Sequence, residues 1–197
     1  MSFYLYLLLG FLGGIPAGMG MGGFVAWGPC EGGEFADIYA KTTTFVMPAH
    51  APPHKPGKRL SLDEDRLEMC RLAFAEMPQV VVSDYEISQG GTSYTYLTCR
   101  HFKELYPDAE IFWIVGTDML RNFPTWRHPE DILKNVTLAV CGRAEEDGWW
   151  EEEQAAFVQK FGVEFTRFSY NGAAVSSTKI RVLAGAGMRL TPLVPEC

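Results

Sequence analysis

The stretch Ile111-Phe112-Trp113-Ile114-Val115, followed directly by Gly116-Thr117-Asp118, decides the fold that we expect for this chain. A short apolar run rich in β-branched and aromatic residues is typical of a strand buried on both faces, as in a parallel sheet. The glycine and the polar residues after it end the strand. Because ligands of open α/β sheets bind beyond the carboxyl ends of the strands, this junction is also a candidate binding position.

Further apolar runs alternate with segments of helical periodicity on both sides of this strand. The other predicted strands are Thr44–Met47, Val80–Val82, Val136–Val140 and Val163–Phe168. The predicted helices are one that starts at a capping box, Ser61–Glu64, and ends before Pro78, one capped by Ser93 and continuing to Leu105, and one over Trp150–Phe161. The alternation predicts an α/β fold in one domain over residues 1–197, with a mainly parallel sheet and helices on both faces.

The N-terminal segment leaves more than one interpretation open. Phe3 to Leu12 is nearly all apolar, which favours a buried parallel strand; a signal or membrane anchor and a wrongly assigned start are the alternatives. It is too short to span a bilayer, and no Lys or Arg precedes it. Residues 13–40 are atypical, since they are rich in glycine and lack the helical period expected of a first crossover helix.

The bulk composition is that of a globular protein with a full core: 197 residues, 47% hydrophobic and 21% charged. The net charge of −7 argues against nucleic acid and membrane surfaces as partners, so a bound phosphate must be met by local basic groups. The five cysteines show no metal-ligand or redox spacing. We therefore expect reduced thiols and a cytoplasmic protein.

The segment Val175-Ser176-Ser177-Thr178-Lys179-Ile180-Arg181 follows a predicted strand and opens a short apolar helix. Hydroxyls and backbone N–H groups at a helix N-terminus attract anions, phosphates in particular, and Lys179 and Arg181 add positive charge. The alternative is an ordinary serine N-cap.

Three more segments follow predicted strands at the same edge of the sheet. The loop Pro48–Lys55, which contains Pro52-Pro53-His54-Lys55, presents two imidazoles and an ammonium group, or is simply a rigid surface turn. Gly116 permits close approach of a ligand, and Asp118 either accepts ribose hydroxyls or caps a helix. Arg143 either forms forked contacts to phosphate or carboxylate or is a solvated surface group. Trp126 is a further candidate, which stacks on an aromatic ligand or belongs to the core.

Five motifs, in order and in rough register over residues 44–195, resemble the nicotinate-nucleotide adenylyltransferases. The first three are Pro52-Pro53-His54-Lys55, Arg66-Leu67-Glu68-Met69 and Ser93-Tyr94-Thr95-Tyr96-Leu97-Thr98. The last two are Gly116-Thr117-Asp118 with Trp126, and Ser176 to Arg181. Together they are far more specific than any one of them.

The resemblance implies a Rossmann-like nucleotidyltransferase fold and transfer of AMP from ATP to nicotinate mononucleotide, giving deamido-NAD and pyrophosphate in NAD biosynthesis. It implies in-line attack of the mononucleotide phosphate on the α-phosphate of ATP, so that catalysis consists of positioning and charge neutralisation. Mg²⁺ is expected to arrive with ATP, and the sequence identifies no protein ligand for it. The sequence is compatible with a homo-oligomer.

The resemblance also implies roles for individual residues. Lys55 and Arg181 are the implied catalytic residues. The implied ATP-binding residues are Gly13, Gly14, Gly116, Asp118, Ser176, Ser177, Thr178 and Arg181. Thr95 and Trp126 are implied to hold the nicotinate, and Arg143 is a further substrate-binding candidate.

The family's leading signature, G-G-x-F-x-P-x-H-x-G-H, is incomplete here. Gly13 and Gly14 stand in its place, but no two of the four histidines lie three positions apart. We hypothesise that residues 15–40 are read in a shifted frame or come from a damaged gene. Sequencing the DNA tests this hypothesis, which fails if none of the alternative reading frames encodes a histidine pair there. A nucleotide-binding pseudoenzyme or decayed fragment is therefore the competing function. A related adenylyltransferase acting on nicotinamide mononucleotide or phosphopantetheine is a further alternative.

Overall fold

The computed structural model describes residues 4–8, 21–22, 43–53, 60–143, 150–170 and 182–189. The strands are β1 (Tyr4–Leu8), β2 (Met21–Gly22), β3 (Thr43–Pro48), β4 (Val80–Val82), β5 (Glu110–Gly116), β6 (Thr137–Arg143) and β7 (Thr166–Tyr170). The helices are α1 (Asp63–Ala73), α2 (Tyr85–Gln89), α3 (Thr95–Leu105), α4 (Thr117–Asn122), α5 (Pro129–Asn135) and α6 (Trp150–Phe161). A 3-10 helix covers Phe123–Thr125, and residues 182–185 form a helical turn.

The sheet confirms the predicted α/β fold. Six strands pair in parallel in the order β4-β3-β1-β5-β6-β7, and the short β2 pairs antiparallel with the end of β3. Numbered along the chain without β2, this is the order 3-2-1-4-5-6 of doubly wound nucleotide-binding sheets. The order reverses between β1 and β5.

The first strand of the chain lies at the centre of the sheet. Leu8 of β1 pairs with Val46 of β3 on one side and with Ile114 of β5 on the other. The interpretation of the N-terminal apolar segment as a parallel strand is therefore confirmed for Tyr4–Leu8. None of the helices in the described ranges is long and apolar enough to cross a bilayer.

Apolar side chains are buried on both faces of the sheet. The main core cluster contains alternate residues of the strands, among them Met47, Trp113 and Leu138. They pack against Phe102 of α3 and against helices α5 and α6. The residues between them on the strands are also buried but lie outside this cluster; they include Val46, Phe112, Ile114 and Ala139. Since neighbouring strand residues point to opposite faces, both faces of the sheet are covered.

Most of the predicted helices are confirmed, and the predicted serine caps are wrong. The helix over Trp150–Phe161 has the predicted bounds, whereas the short helix α2 was not predicted. The N-cap of α1 is Leu62 and that of α3 is Tyr94, and neither helix has a side-chain cap hydrogen bond. The Ser93 hydroxyl instead accepts a hydrogen bond from the backbone N–H of His50 at 2.9 Å. The Ser93 hydroxyl, which the local pattern predicts as a helix cap, is thus hydrogen-bonded to a residue distant in sequence.

Two leucine substitutions test how much the burial of β6 contributes to stability. Leu138 in β6 is 0% exposed, whereas Leu72 on α1 is 51% exposed. We expect Leu138→Ala to lower the free energy of unfolding by about 3 kcal/mol, because it removes buried methyl groups and leaves a cavity. We expect Leu72→Ala to change it by less than about 0.5 kcal/mol. Urea denaturation followed by circular dichroism measures both, and equal losses would contradict the central position of β6.

Candidate functional site

The parallel strands end at one edge of the sheet, and polar residues that follow them lie there. His50 comes soon after β3, Asp118 comes two residues after β5, and β6 ends at Arg143. Gly116, the last residue of β5, pairs with Cys141 in the parallel register of β5 and β6, so β6 extends two residues further, to Arg143. The reversal of strand order between β1 and β5 places the crevice in which open α/β sheets bind ligands beside Gly116.

Gly116 is the residue at which β5 passes into α4. A Cβ atom on Gly116 would lie 2.9 Å from Oδ1 of Asp118, so glycine gives the carboxylate room to lie over the backbone. Gly116 is itself the N-cap of α4, without a side-chain cap hydrogen bond. The alternative role of Asp118 as that cap is therefore excluded. Asp118 is exposed in the first turn of α4, where a carboxylate interacts favourably with the helix dipole and remains able to accept hydroxyl hydrogen bonds.

Arg66 of α1 is completely buried, at 0% exposure, and it holds the turn after β3. Its guanidinium donates hydrogen bonds to the carbonyl oxygens of Ala49 and, at 3.3 Å, of His50. It also donates to the carboxylate of Asp63 one turn earlier, and that carboxylate is hydrogen-bonded to Nδ1 of His50. The paired carboxylate and the carbonyl oxygens compensate for burying the charge. The network ties the carboxyl end of β3 to α1.

Glu86 of α2 is also buried, at 4% exposure. The Thr98 hydroxyl on α3 donates a hydrogen bond to its Oε1 at 2.7 Å. Burial raises the pKa of the Glu86 carboxyl above its ordinary value of 4.5, while hydrogen bonding by the Thr98 and Ser93 hydroxyls acts in the opposite direction. This carboxyl lies behind Ser93, which contacts the turn after β3.

Thr95 and Trp126 lie on neighbouring segments. Thr95 is the half-buried first residue of α3. Trp126 is 8% exposed, and its ring centroid is 5.2 Å from that of Phe123. Arg127 lies 4.7 Å over the ring of Tyr94 and donates a hydrogen bond to its hydroxyl at 3.2 Å. The residues next to Thr95 and Trp126 are thus in direct contact.

Several predicted site residues lie outside the described residues. They are Gly13, Gly14, Lys55, Ser176, Ser177, Thr178 and Arg181. Arg143 is placed as the last residue of β6, at the carboxyl edge. Of the predicted site, the structure thus brings the Gly116 junction and the end of β6 to one edge, and it places Thr95 and Trp126 on adjoining segments.

Sequence reasoning missed the parts that Arg66 and Glu86 play in this region. For Arg66 a signal existed, because it stands four positions before Cys70 and both residues lie on the buried face of α1. Glu86 gave no comparable signal, because α2 has five residues and is too short to show a helical period.

The buried cysteine thiols do not supply a nucleophile. Burial raises the pKa of the Cys70 thiol to about 12 and that of the Cys99 thiol well above its ordinary value of 9.0. A neutral, inaccessible thiol is unreactive.

Comparisons with known proteins agree with this geometry. Residues 35–183 match the family model described as cytidylyltransferase-like. The chain is 32% identical over 158 residues to a probable nicotinate-nucleotide adenylyltransferase of Rhodopirellula baltica, covering 76% of this chain and 72% of that protein. It is 31% identical over 163 residues to one of Geobacillus thermodenitrificans, covering 83% and 70%. The chain belongs to the nicotinate-nucleotide adenylyltransferase family.

Solved structures of this family share the fold. A putative nicotinate-nucleotide adenylyltransferase of Vibrio parahaemolyticus superimposes with a TM-score of 0.55 at 14% identity, covering 97% of this chain and 85% of that one. The nicotinic acid mononucleotide adenylyltransferase of Plasmodium falciparum, complexed with NaAD, gives a TM-score of 0.58 at 15% identity over 77% and 73%. The predicted Rossmann-like nucleotidyltransferase fold is confirmed. The match to the family model starts at residue 35, which is after the glycines of the incomplete leading signature.

Arg66 and Arg71 form a matched pair on one helix. Arg66 is fully buried and hydrogen-bonded to two carbonyl groups, whereas the Arg71 side chain is 56% exposed and lies 3.5 Å from Glu68. A lysine keeps the charge but lacks the planar fork of donors, so we expect Arg66→Lys to lower the free energy of unfolding by about 2 kcal/mol. Arg71→Lys is expected to change it by less than about 0.5 kcal/mol. Chemical denaturation compares the two variants. An unchanged free energy of unfolding in Arg66→Lys would refute the role of the guanidinium fork.

The raised pKa of Glu86 predicts a pH dependence of stability. The folded state holds the carboxyl proton more tightly than the unfolded chain does, so this contribution to stability is fully present below the unfolded value of 4.5. It is lost as the pH rises through the folded pKa. Glu86→Gln lacks this titration, so its melting temperature is expected to rise relative to wild type as the pH increases above 4.5. Calorimetry at several pH values measures this, with the exposed Glu76→Gln as control; parallel curves would contradict the prediction.

Proposed function

We propose that this protein transfers AMP from ATP to nicotinate mononucleotide and forms deamido-NAD and pyrophosphate, a step of NAD biosynthesis. One observation carries the proposal: a member of the nicotinate-nucleotide adenylyltransferase family has Gly116 and an exposed Asp118 at the reversal of strand order between β1 and β5. That position is where sheets of this topology bind nucleotides.

The reaction requires positioning more than covalent chemistry. An oxygen of the mononucleotide phosphate attacks the α-phosphorus of ATP in line and forms a new phosphoanhydride bond. The bond between the α- and β-phosphates breaks, and pyrophosphate leaves with the electron pair. No covalent enzyme intermediate is needed, so the protein accelerates the step by aligning the two nucleotides and neutralising developing charge.

On the ATP side, Gly116 and Asp118 are proposed to line the nucleotide pocket, with the Asp118 carboxylate accepting ribose hydroxyl hydrogen bonds. The phosphates are proposed to be held by the residues that the family resemblance implies and that lie outside the described ranges. These are Gly13, Gly14, Lys55, Ser176, Ser177, Thr178 and Arg181. With a net charge of −7, the chain needs such local cations to hold a triphosphate.

On the mononucleotide side, Thr95 is proposed to hydrogen-bond the nicotinate carboxylate from the start of α3, and Arg143 is a further substrate-binding candidate. Trp126 is proposed to stack on the nicotinate ring. Because Trp126 is 8% exposed and packs against Phe123, a ring can reach only a small part of the indole in this arrangement. Face-to-face stacking therefore requires the indole to turn outward when the mononucleotide binds.

Mg²⁺, which nucleotidyltransferases of this kind generally use, is proposed to accompany ATP. The described residues contain no cluster of three His, Cys, Asp or Glu side chains able to hold a metal ion. Mg²⁺ generally keeps several waters and is bound chiefly through substrate phosphates, whose charge it neutralises.

A second candidate function is nucleotide binding without turnover. It is favoured by the absence of a paired-histidine motif in the whole sequence and by the start of the family match at residue 35. Losing one preorganised cation or donor costs about 3 kcal/mol of transition-state stabilisation. A chain that keeps the nucleotide crevice but lacks both histidines would bind ATP and turn it over slowly or not at all.

The proposed setting is the cytoplasm, with ATP and nicotinate mononucleotide as the small-molecule partners. We propose no nucleic-acid or membrane partner, in agreement with the net charge of −7. A homo-oligomer stays open. Strands from Tyr4 to Tyr170 share one sheet, which supports a single domain.

A turnover assay tests the proposal. Purified protein with ATP, Mg²⁺ and nicotinate mononucleotide is expected to release pyrophosphate, and nicotinamide mononucleotide and phosphopantetheine are expected to be poorer acceptors. Asp118→Asn is expected to raise KM for ATP about tenfold, because it weakens hydrogen bonds to a charged acceptor. The control is Asp108→Asn, at an exposed site before β5. ATP binding in a calorimetric titration without pyrophosphate release would instead support the second function.

A further inference from the structure

Two consecutive backbone N–H groups in the turn after β3 share one acceptor. The N–H of His50 and the N–H of Ala51 donate to Oγ of Ser93, at 2.9 Å and 3.4 Å. In return the N–H of Ser93 donates to the carbonyl oxygen of Ala51 at 3.0 Å. Thr92 also forms a parallel bridge with Ala51. The segment before α3 is therefore fastened to the turn as a short added strand would be.

The proton of the Ser93 hydroxyl is directed away from this turn. A serine hydroxyl has one proton and two lone pairs, and the two N–H groups of the turn use the lone pairs. Hydrogen bonding by the Ser93 hydroxyl lowers the pKa of the Glu86 carboxyl, which is 4% exposed. Oε1 of Glu86 accepts the bond from Thr98, and among the described residues Oε2 has no hydrogen-bond partner of regular geometry. Oε2 is thus available to the Ser93 proton.

The opposite side of the same turn is held by α1. Arg66 donates to the carbonyl oxygens of Ala49 and His50, while Ser93 accepts from the N–H groups of His50 and Ala51. Donors on one side and an acceptor on the other therefore fix successive peptide groups. The following residues, Pro52 and Pro53, limit further rotation of the chain.

We propose that Glu86 and Ser93 are positioning residues that fix the turn Ala49–Ala51 at the carboxyl edge of the sheet: the buried carboxyl orients the Ser93 hydroxyl, and the hydroxyl holds two peptide N–H groups of the turn. The consequence for turnover rests on the proposed function. A turn held on both sides keeps the end of β3 at a fixed distance from the crevice, and a displacement of about 1 Å in such a position can cost about 100-fold in rate.

Amide hydrogen exchange tests the positioning itself. Removing the shared acceptor in Ser93→Ala is expected to speed exchange at the His50 and Ala51 N–H groups about tenfold, the loss of one hydrogen bond each. Ser93→Thr keeps the hydroxyl and is expected to restore slow exchange. Glu86→Gln keeps an acceptor for Thr98 but offers Ser93 an amide group, so an intermediate rate is expected. Ser88→Ala, at an exposed serine of α2, is the matched control.

The outcomes separate positioning from general destabilisation. Faster exchange confined to residues 49–51, with β5 still protected, supports the proposal. Unchanged exchange at these two amides in Ser93→Ala, or equal acceleration throughout the sheet, overturns it. Failure of Ser93→Thr to restore slow exchange overturns it as well.

Steady-state kinetics then tests the effect on the reaction. Ser93→Ala is expected to lower kcat about tenfold or more with KM for nicotinate mononucleotide within about twofold of wild type, since a misplaced turn affects alignment. An unchanged kcat together with faster exchange would overturn the link to catalysis. Absence of turnover in the wild type would remove the proposed function, and the exchange rates would still decide whether Glu86 and Ser93 hold the turn.

Discussion

The parallel pairing of β1 with β3 on one side and β5 on the other is the constraint on which the site depends. It places a strand from the start of the chain between strands that are far apart in sequence, and it creates the reversal of strand order beside Gly116. A slip of one residue in this register would turn the buried side chains of a strand to the opposite face. Because both faces of the sheet are covered, such a slip is strongly disfavoured. The crevice is therefore a consequence of packing, and its chemistry is added by the loops.

Three described arginines near the site contact protein groups. Arg66 binds two carbonyl groups and Asp63, Arg121 lies 3.3 Å from Glu153, and Arg127 contacts Tyr94. Such an arginine cannot also neutralise a triphosphate without giving up its present partners. In a chain of net charge −7, the proposed phosphate contacts therefore depend on further basic residues, with Lys55 and Arg181 as the first candidates. Arg66 fixes a loop in place, and its charge is balanced inside the protein.

Most of the strands could be predicted because they are short apolar runs, and the helix over Trp150–Phe161 because its period is sustained for three turns. The short β2 was not predicted, and β7 begins three residues later than predicted. The caps could not be predicted. Ser93 stands two residues before the start of α3, and nothing in the local sequence shows that the N–H groups of His50 and Ala51, more than 40 positions earlier, compete for its hydroxyl. The burial of Glu86 could not be predicted either, since a charged residue in a short helix is expected to be exposed. Within the site, the Gly116 junction was predictable from its position after a strand, whereas the network behind the β3 turn arises only from tertiary contacts.

The loss of the paired histidines changes what the rest of the site can achieve. Interactions that bind ATP equally well before and during the reaction lower KM and leave kcat unchanged. The contacts proposed for Gly116, Asp118 and Thr95 are of this kind, because ribose and nicotinate carry no new charge in the transition state. Only groups that meet the transferring phosphate and the departing pyrophosphate act on kcat. A chain with an intact crevice is thus expected to retain the part of its affinity that comes from the ribose and nicotinate contacts. Its rate depends on whether the remaining cations are held rigidly enough to replace the missing imidazoles. The Arg66 and Ser93 contacts hold the β3 turn, which precedes the proposed cation Lys55 in the sequence, from both sides.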